Sequence, residues 1–171
     1  MRPFFMPALV VAVASMLVFA VAAGADPASR PFKGSVSGAV TFVNDTNCPA
    51  LFPDGPTLRT NWAATGTASH LGKTSMSGTH CSGVVFAGDM TLVAANGDKV
   101  FAHYESVGPP VFPPAEVGVV YDVPSEFDVT GGTGRFENAV GGGQLPAHIT
   151  NMGLGVPVWP VTWDVLGTIG Y

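Results

Sequence analysis

From residue 30 onward, apolar and polar residues alternate with a period of two, the pattern of strands with one buried and one solvated face. Phe32, Gly34, Val36, Gly38, Val40 and Phe42 interleave with Lys33, Ser35, Ser37, Ala39 and Thr41, which predicts a first strand. Asn61 to Ser69 and Lys73 to Cys81 predict a hairpin around His70, Leu71 and Gly72, with Gly72 suited to a left-handed position. The Asn96-Gly97 pair predicts a two-residue type I′ turn joining the next two strands. In that register Met90 faces His103 and Leu92 faces Phe101 on one side, while Asp89 and Tyr104 share the other. The first side is bulkier and is the expected interior.

Further strands are expected at Val117 to Tyr121, at Glu126 to Thr130, around Ala147 to Asn151 and along the final alternation from Val161 to Tyr171. The stretch from Gly108 to Pro114 carries four prolines, each lacking a ladder donor, and reads as a loop or lid. After the first 25 residues no segment sustains a helical period, because Gly or Pro interrupts nearly every apolar run. Eight or slightly more strands in meander order point to an all-β fold, an eight-stranded antiparallel up-and-down barrel of calycin type.

The first 25 residues stand apart from this pattern. Arg2 precedes an apolar run from Phe4 to Ala23, and Ala23-Gly24-Ala25 has the small-x-small form of a cleavage site, so residues 1–25 read as a signal peptide and residues 26–171 as one barrel domain. The expected location is secreted or periplasmic. Such a compartment is oxidising, and the two cysteines, Cys48 and Cys81, then predict one disulfide. With Arg2 removed, six basic residues face twelve acidic ones and no Lys/Arg cluster occurs along the chain, which argues against nucleic acid as a partner. Stable membrane insertion of the mature domain is not expected.

The GGTGRF segment at residues 131–136, the terminal GTIGY at residues 167–171 and SHLGK at residues 69–73 resemble small secreted bacterial proteins of the allene oxide cyclase barrel-like group. That group is similar to plant allene oxide cyclases and dirigent proteins, whose eight-stranded barrels carry a comparable GGTGxF turn. The resemblance runs from about Phe32 onward. It implies a calycin-like barrel and, for the plant enzymes, an apolar cavity that holds a substrate for cyclisation or coupling. The matching Gly131, Gly132, Gly134, Arg135 and Phe136 read as a structural turn, and no catalytic residue of the plant enzymes carries over to a position here.

Other motifs exclude more than they assign. Gly72-Lys73-Thr74 lacks the upstream glycine spacing and the following helix of a phosphate-binding loop. Gly132 and Gly134 are followed by Glu137 where a dinucleotide fingerprint needs its third glycine. His70, His80, His103 and His148 have no tight ligand spacing, so neither a metal site nor a cofactor is implied. The predicted register places His103 beside Met90 and Phe101, with Glu105 on the same face, and these four residues form the candidate cavity site. The leading reading is a secreted barrel that binds a small apolar ligand or acts as a structural or interaction module. An allene oxide cyclase-like or dirigent-like enzyme, a cyclase or isomerase using His103 and Glu105 or Tyr104 in the cavity, is one alternative. A small outer-membrane barrel is the other, suggested by the terminal aromatic Tyr171.

Overall fold

The alternating segments form ten strands: β1 (Arg30–Asn44), β2 (Leu58–Ala68), β3 (Gly72–Cys81), β4 (Ala87–Val93), β5 (Lys99–Ser106), β6 (Val120–Val123), β7 (Ser125–Gly132), β8 (Val140–Gln144), β9 (Ala147–Thr150) and β10 (Val158–Gly170). The computed structural model describes residues 28–153 and 155–171, so the expected signal peptide and its boundary lie outside the described residues. Antiparallel neighbours follow the order β1-β2-β3-β4-β5-β7-β8-β10, and β10 returns to β1 through twelve residue pairs, from Arg30 with Ile169 to Thr41 with Val158. Eight strands thus close an up-and-down barrel. β6 and β9 continue β7 and β8 past breaks at Pro124 and at Leu145-Pro146; they pair with each other, and β9 also pairs with β10 from Ala147 to Ile149.

Side-chain parity sorts the residues. Phe32, Val36, Trp62, Met76, Val100 and Val165 point inward and are buried, whereas Lys33, Ser35, Thr65, Lys73 and Ser77 point outward and are exposed. An outer-membrane barrel has the reverse arrangement, an apolar exterior facing lipid. The wall is predominantly polar, with Phe101, Val140, Val158 and Leu166 among its exposed apolar residues, and gives the outer-membrane reading no support. No helix among the described residues is long and apolar enough to cross a membrane.

The β4–β5 hairpin departs from the expected register. Ala94 N–H donates to Asp98 O and Gly97 N–H to Ala94 O, which closes a three-residue loop with Gly97 in the left-handed region at φ 89°. Asn-Gly suits this turn as well as a type I′ turn, because both place Gly at a positive-φ position. The pairing becomes Asp89 with His103 and Met90 with Ala102, and a slip of one residue exchanges the faces of a whole strand. Val100, Ala102 and Tyr104 are therefore buried inside, and Phe101, His103 and Glu105 lie outside. The burial of this set, more apolar than the alternative, decides the register.

Two further segments differ from expectation. Val140–Gln144 is a strand although its three glycines offer no alternation to read, and β6 begins three residues later than the pattern suggested. The glycine-rich turn at residues 131–136 belongs to a register shift opposite Phe101 and Ala102 and leads into a short 3-10 turn, Gly134–Phe136.

The two ends of the barrel are unlike. At the closed end, the short β2–β3 and β4–β5 turns and the 3-10 turn pack Leu71 and the fully buried Phe136 into the opening, with Tyr171 stacked edge-on at 4.8 Å from Phe136. Arg135 lies over the Phe136 ring at 4.7 Å and donates to the His70 carbonyl. At the other end, long loops join the strands, and Cys48 in the β1–β2 loop is bonded to Cys81 at the end of β3. Among the described residues, every strand pair, the disulfide and the core lie within residues 30–171, which close on themselves as one barrel.

The disulfide spans 33 residues. Replacing both cysteines by serine should lower the unfolding free energy by about 3 to 4 kcal/mol in the loop-entropy account. Urea denaturation of the variant reads this directly, and a loss below about 1 kcal/mol would mean that polar contacts alone hold the loop.

Candidate functional site

At the loop end, β2, β3 and β5 deliver three inward-facing aromatic or heteroaromatic side chains to one place. The Trp62 indole lies over Gly78, its partner on β3, where a Cβ would come within 2.4 Å of the ring. Only glycine leaves room for the indole there. The Trp62 N–H donates to the Tyr104 hydroxyl at 2.8 Å, and that hydroxyl lies 2.6 Å from His80 Nδ1. The buried Tyr104 phenol hydrogen needs an acceptor and finds it in His80 Nδ1, and this assignment places the imidazole proton on Nε2. Phe86 stacks on the His80 ring at 4.3 Å.

Burial sets the charge state of this chain of groups. Desolvation, together with the nearby Arg59 guanidinium, pulls His80 down to about 4, and desolvation pushes the Tyr104 phenol upward. Both groups are neutral near pH 7. No hydrogen bond joins His80 Nε2 to another described residue, and no buried side-chain nitrogen or oxygen among the described residues lacks a partner, so Nε2 reaches solvent. The arrangement is a neutral, oriented hydrogen-bond donor at the barrel mouth.

Three loops surround this mouth. Residues 45–57 are held by the disulfide, by the Arg59–Asp45 ion pair and by the bridge between Ala50 and Thr57. Residues 82–86 are pinned at both ends, by the Ser82–Thr60 hydroxyl contact at 2.7 Å and by Phe86 N–H donating to the Ser106 hydroxyl at 3.0 Å. Between these two loops lies a groove of about 330 Å³, walled by Leu51, Val84, Val85 and Phe86 with Cys81 and Ser82 at its base. Opposite, residues 107–119 are tied across by buried Asn151, whose side-chain N–H groups donate to the Pro114 and Glu116 carbonyls at 2.8 and 2.9 Å. The proline-rich stretch is thus a strapped loop at the mouth.

Of the candidate cavity residues, only Met90 faces inward. His103 pairs with Asp89 at 2.9 Å on the outer wall, with Phe101 and Glu105 exposed on the same side. His103 and Glu105 do line a hollow of about 220 Å³, but it lies outside the barrel, bordered by Glu126 and Asp128 of β7 and by Gly143 and Gln144 of β8. The structure brings His80 to Tyr104 instead. His80 shares the strand parity of Met76 and Gly78, and that parity is the sequence signal that points it inward. Among the described residues no three His, Cys, Asp or Glu side chains are arranged to hold a metal ion. On the wall above, His148 sits between Asp122 at 2.6 Å and Asp164 at 3.4 Å, and chiefly the Asp122 hydrogen bond raises its pKa.

No family model, curated protein or solved structure matches this chain. The geometry of the mouth therefore carries the functional argument.

Two outcomes test this geometry. The folded state holds His80 neutral down to about pH 4. An unfolded chain takes up that proton from about pH 6.5, so stability should fall by up to about 3 kcal/mol between these pH values and level off below. His148 contributes with the opposite sign, because its stabilisation is full at low pH and fades as pH rises through its raised pKa. Urea titrations of His80→Gln should show a flatter acid limb than the parent; superimposable limbs would remove His80 from this role. Separately, Asn151→Asp, which lacks both N–H donors, should speed amide exchange across residues 108–118 while the barrel strands stay protected, and unchanged loop protection would contradict the strap.

Proposed function

We propose that this protein is an extracytoplasmic barrel that binds an apolar group of a small ligand at its loop end, in the groove between residues 45–57 and 82–86. The observation that carries the reading is the placement of apolar surface. Leu51, Val84 and Val85 are exposed side by side along this groove, whereas the barrel axis is filled by buried side chains. Contiguous exposed apolar surface on rigidly anchored loops is characteristic of binding sites. The groove volume is at the small end for ligand sites, which suits an aliphatic tail or single ring rather than a large cofactor. The disulfide and the preceding apolar run support an oxidising location, and the resemblance to the allene oxide cyclase barrel-like group supports a common architecture.

A second reading is favoured by one observation, the neutral His80 that Tyr104 orients toward the mouth. A cyclase or isomerase would use its Nε2–H as a donor to a developing oxyanion, as a neutral histidine with a depressed pKa does in other enzymes. His103 and Glu105, on the outer wall, have no part in this version.

Native mass spectrometry of protein purified without detergent, followed by titration with an apolar fluorophore, tests the binding reading. Val85→Asp should weaken binding of the probe by about tenfold or more without changing the melting temperature, since an uncompensated charge replaces buried apolar contact. Equal binding by parent and variant would move the site elsewhere. Should turnover of a released ligand be found, Tyr104→Phe should reduce it while leaving probe binding intact.

A further inference from the structure

We propose that the closed end of the barrel docks on an anionic phospholipid surface. Along the chain the basic residues are scattered, but the fold gathers Arg30, Lys33, Lys73, Lys99 and Arg135 around one rim. All five are exposed. Lys33 lies level with the β2–β3 turn, where its backbone bonds to Ser69, and Lys99 is fixed beside Thr133 at the start of β5. Arg30 rests on the Tyr171 ring at 5.0 Å, and Arg135 rests on Phe136 beneath it. Among the described residues Asp98 and Glu137 are the acidic ones at this end, Asp98 lying 3.9 Å from the Arg135 guanidinium, which leaves a surplus of three positive charges. Among the described residues elsewhere, Arg59 is the basic one and is already paired with Asp45, so the wall and the loop end are acidic.

This separation of charge orients the molecule. An anionic surface attracts the closed end and repels the wall, so the apolar loop end faces away from it. A membrane is favoured over a soluble polyanion by the spread of the cations: they sit on β1, β3, β5 and the β7–β8 turn, around the end of the barrel rather than along one groove, which suits a broad anionic surface. The predominantly polar wall makes the contact a peripheral one. Each Lys or Arg near an anionic leaflet raises partitioning by about fivefold, and a surplus of three gives roughly a hundredfold.

The test uses residues 26–171, which contain the whole closed barrel, with sucrose-loaded vesicles of phosphatidylcholine alone or mixed with phosphatidylglycerol. Cosedimentation with the mixed vesicles should exceed that with phosphatidylcholine by at least tenfold at low salt and collapse at about 0.5 M salt, where screening shortens to a few ångströms. The triple variant Lys33→Gln, Lys73→Gln, Lys99→Gln should lose this preference while keeping its melting temperature, and Glu105→Gln with Glu126→Gln on the wall should retain it. Equal binding to both vesicle types would overturn the proposal, as would a triple variant that binds like the parent. Binding to heparin or duplex DNA without binding to vesicles, or salt-sensitive self-association in their place, would assign the rim to a different partner.

Discussion

The pairing of the first strand with the last is the contact on which the other features rest. β1 and β10 meet over twelve residue pairs although they are separated by most of the chain, and without that seam the sheet would have two long open edges. Closure gives every strand an inside and an outside, so period-two alternation becomes a division between apolar core and polar wall. It also gives the barrel two ends. Loop-closure entropy opposes so distant a pairing, and the continuous inward stripe of Phe32, Val36 and Val40 against Val161, Trp163 and Val165 supplies the apolar burial that offsets it.

Once closed, the barrel distributes its tasks between the ends. Short turns and the Phe136 plug seal one end and leave it chemically plain apart from its basic rim. The other carries the long loops, and each is fixed by a different bond type: a disulfide for residues 45–57, hydroxyl contacts for residues 82–86 and an asparagine side chain for residues 107–119. Loops anchored in this way can expose Leu51 and Val85 without collapsing onto the core. Recognition at the rim does not require the interior to be hollow.

Inside, the chain from Trp62 through Tyr104 to His80 solves a polarity problem. Three large amphipathic side chains enter a barrel whose neighbouring positions are apolar, and each finds its hydrogen-bond partner in the next. The last member reaches solvent and stays neutral because burial disfavours its charge. This polar thread ends where the apolar groove begins, with Phe86 belonging to both.

Much of the fold could be read before the structure. Alternation located most of the strands, two cysteines in a chain with an apolar leader indicated the disulfide, and four prolines marked the mouth loop. Those signals are local, carried by the spacing or chemistry of neighbouring residues. The Asn96-Gly97 turn could not choose between two loop lengths, because both use the same residues, and the choice fell to which face of β5 buries better against the rest of the barrel. That single step moved His103 and Glu105 out and Tyr104 in. The glycines of β8 had no pattern to reveal, and the meeting of His80 with Tyr104, like the gathering of five basic residues at one rim, joins positions far apart in the chain. The sequence determined where strands form and which residues each carries; the tertiary structure decided register, end and neighbour, because those depend on burial and charge summed over the closed barrel.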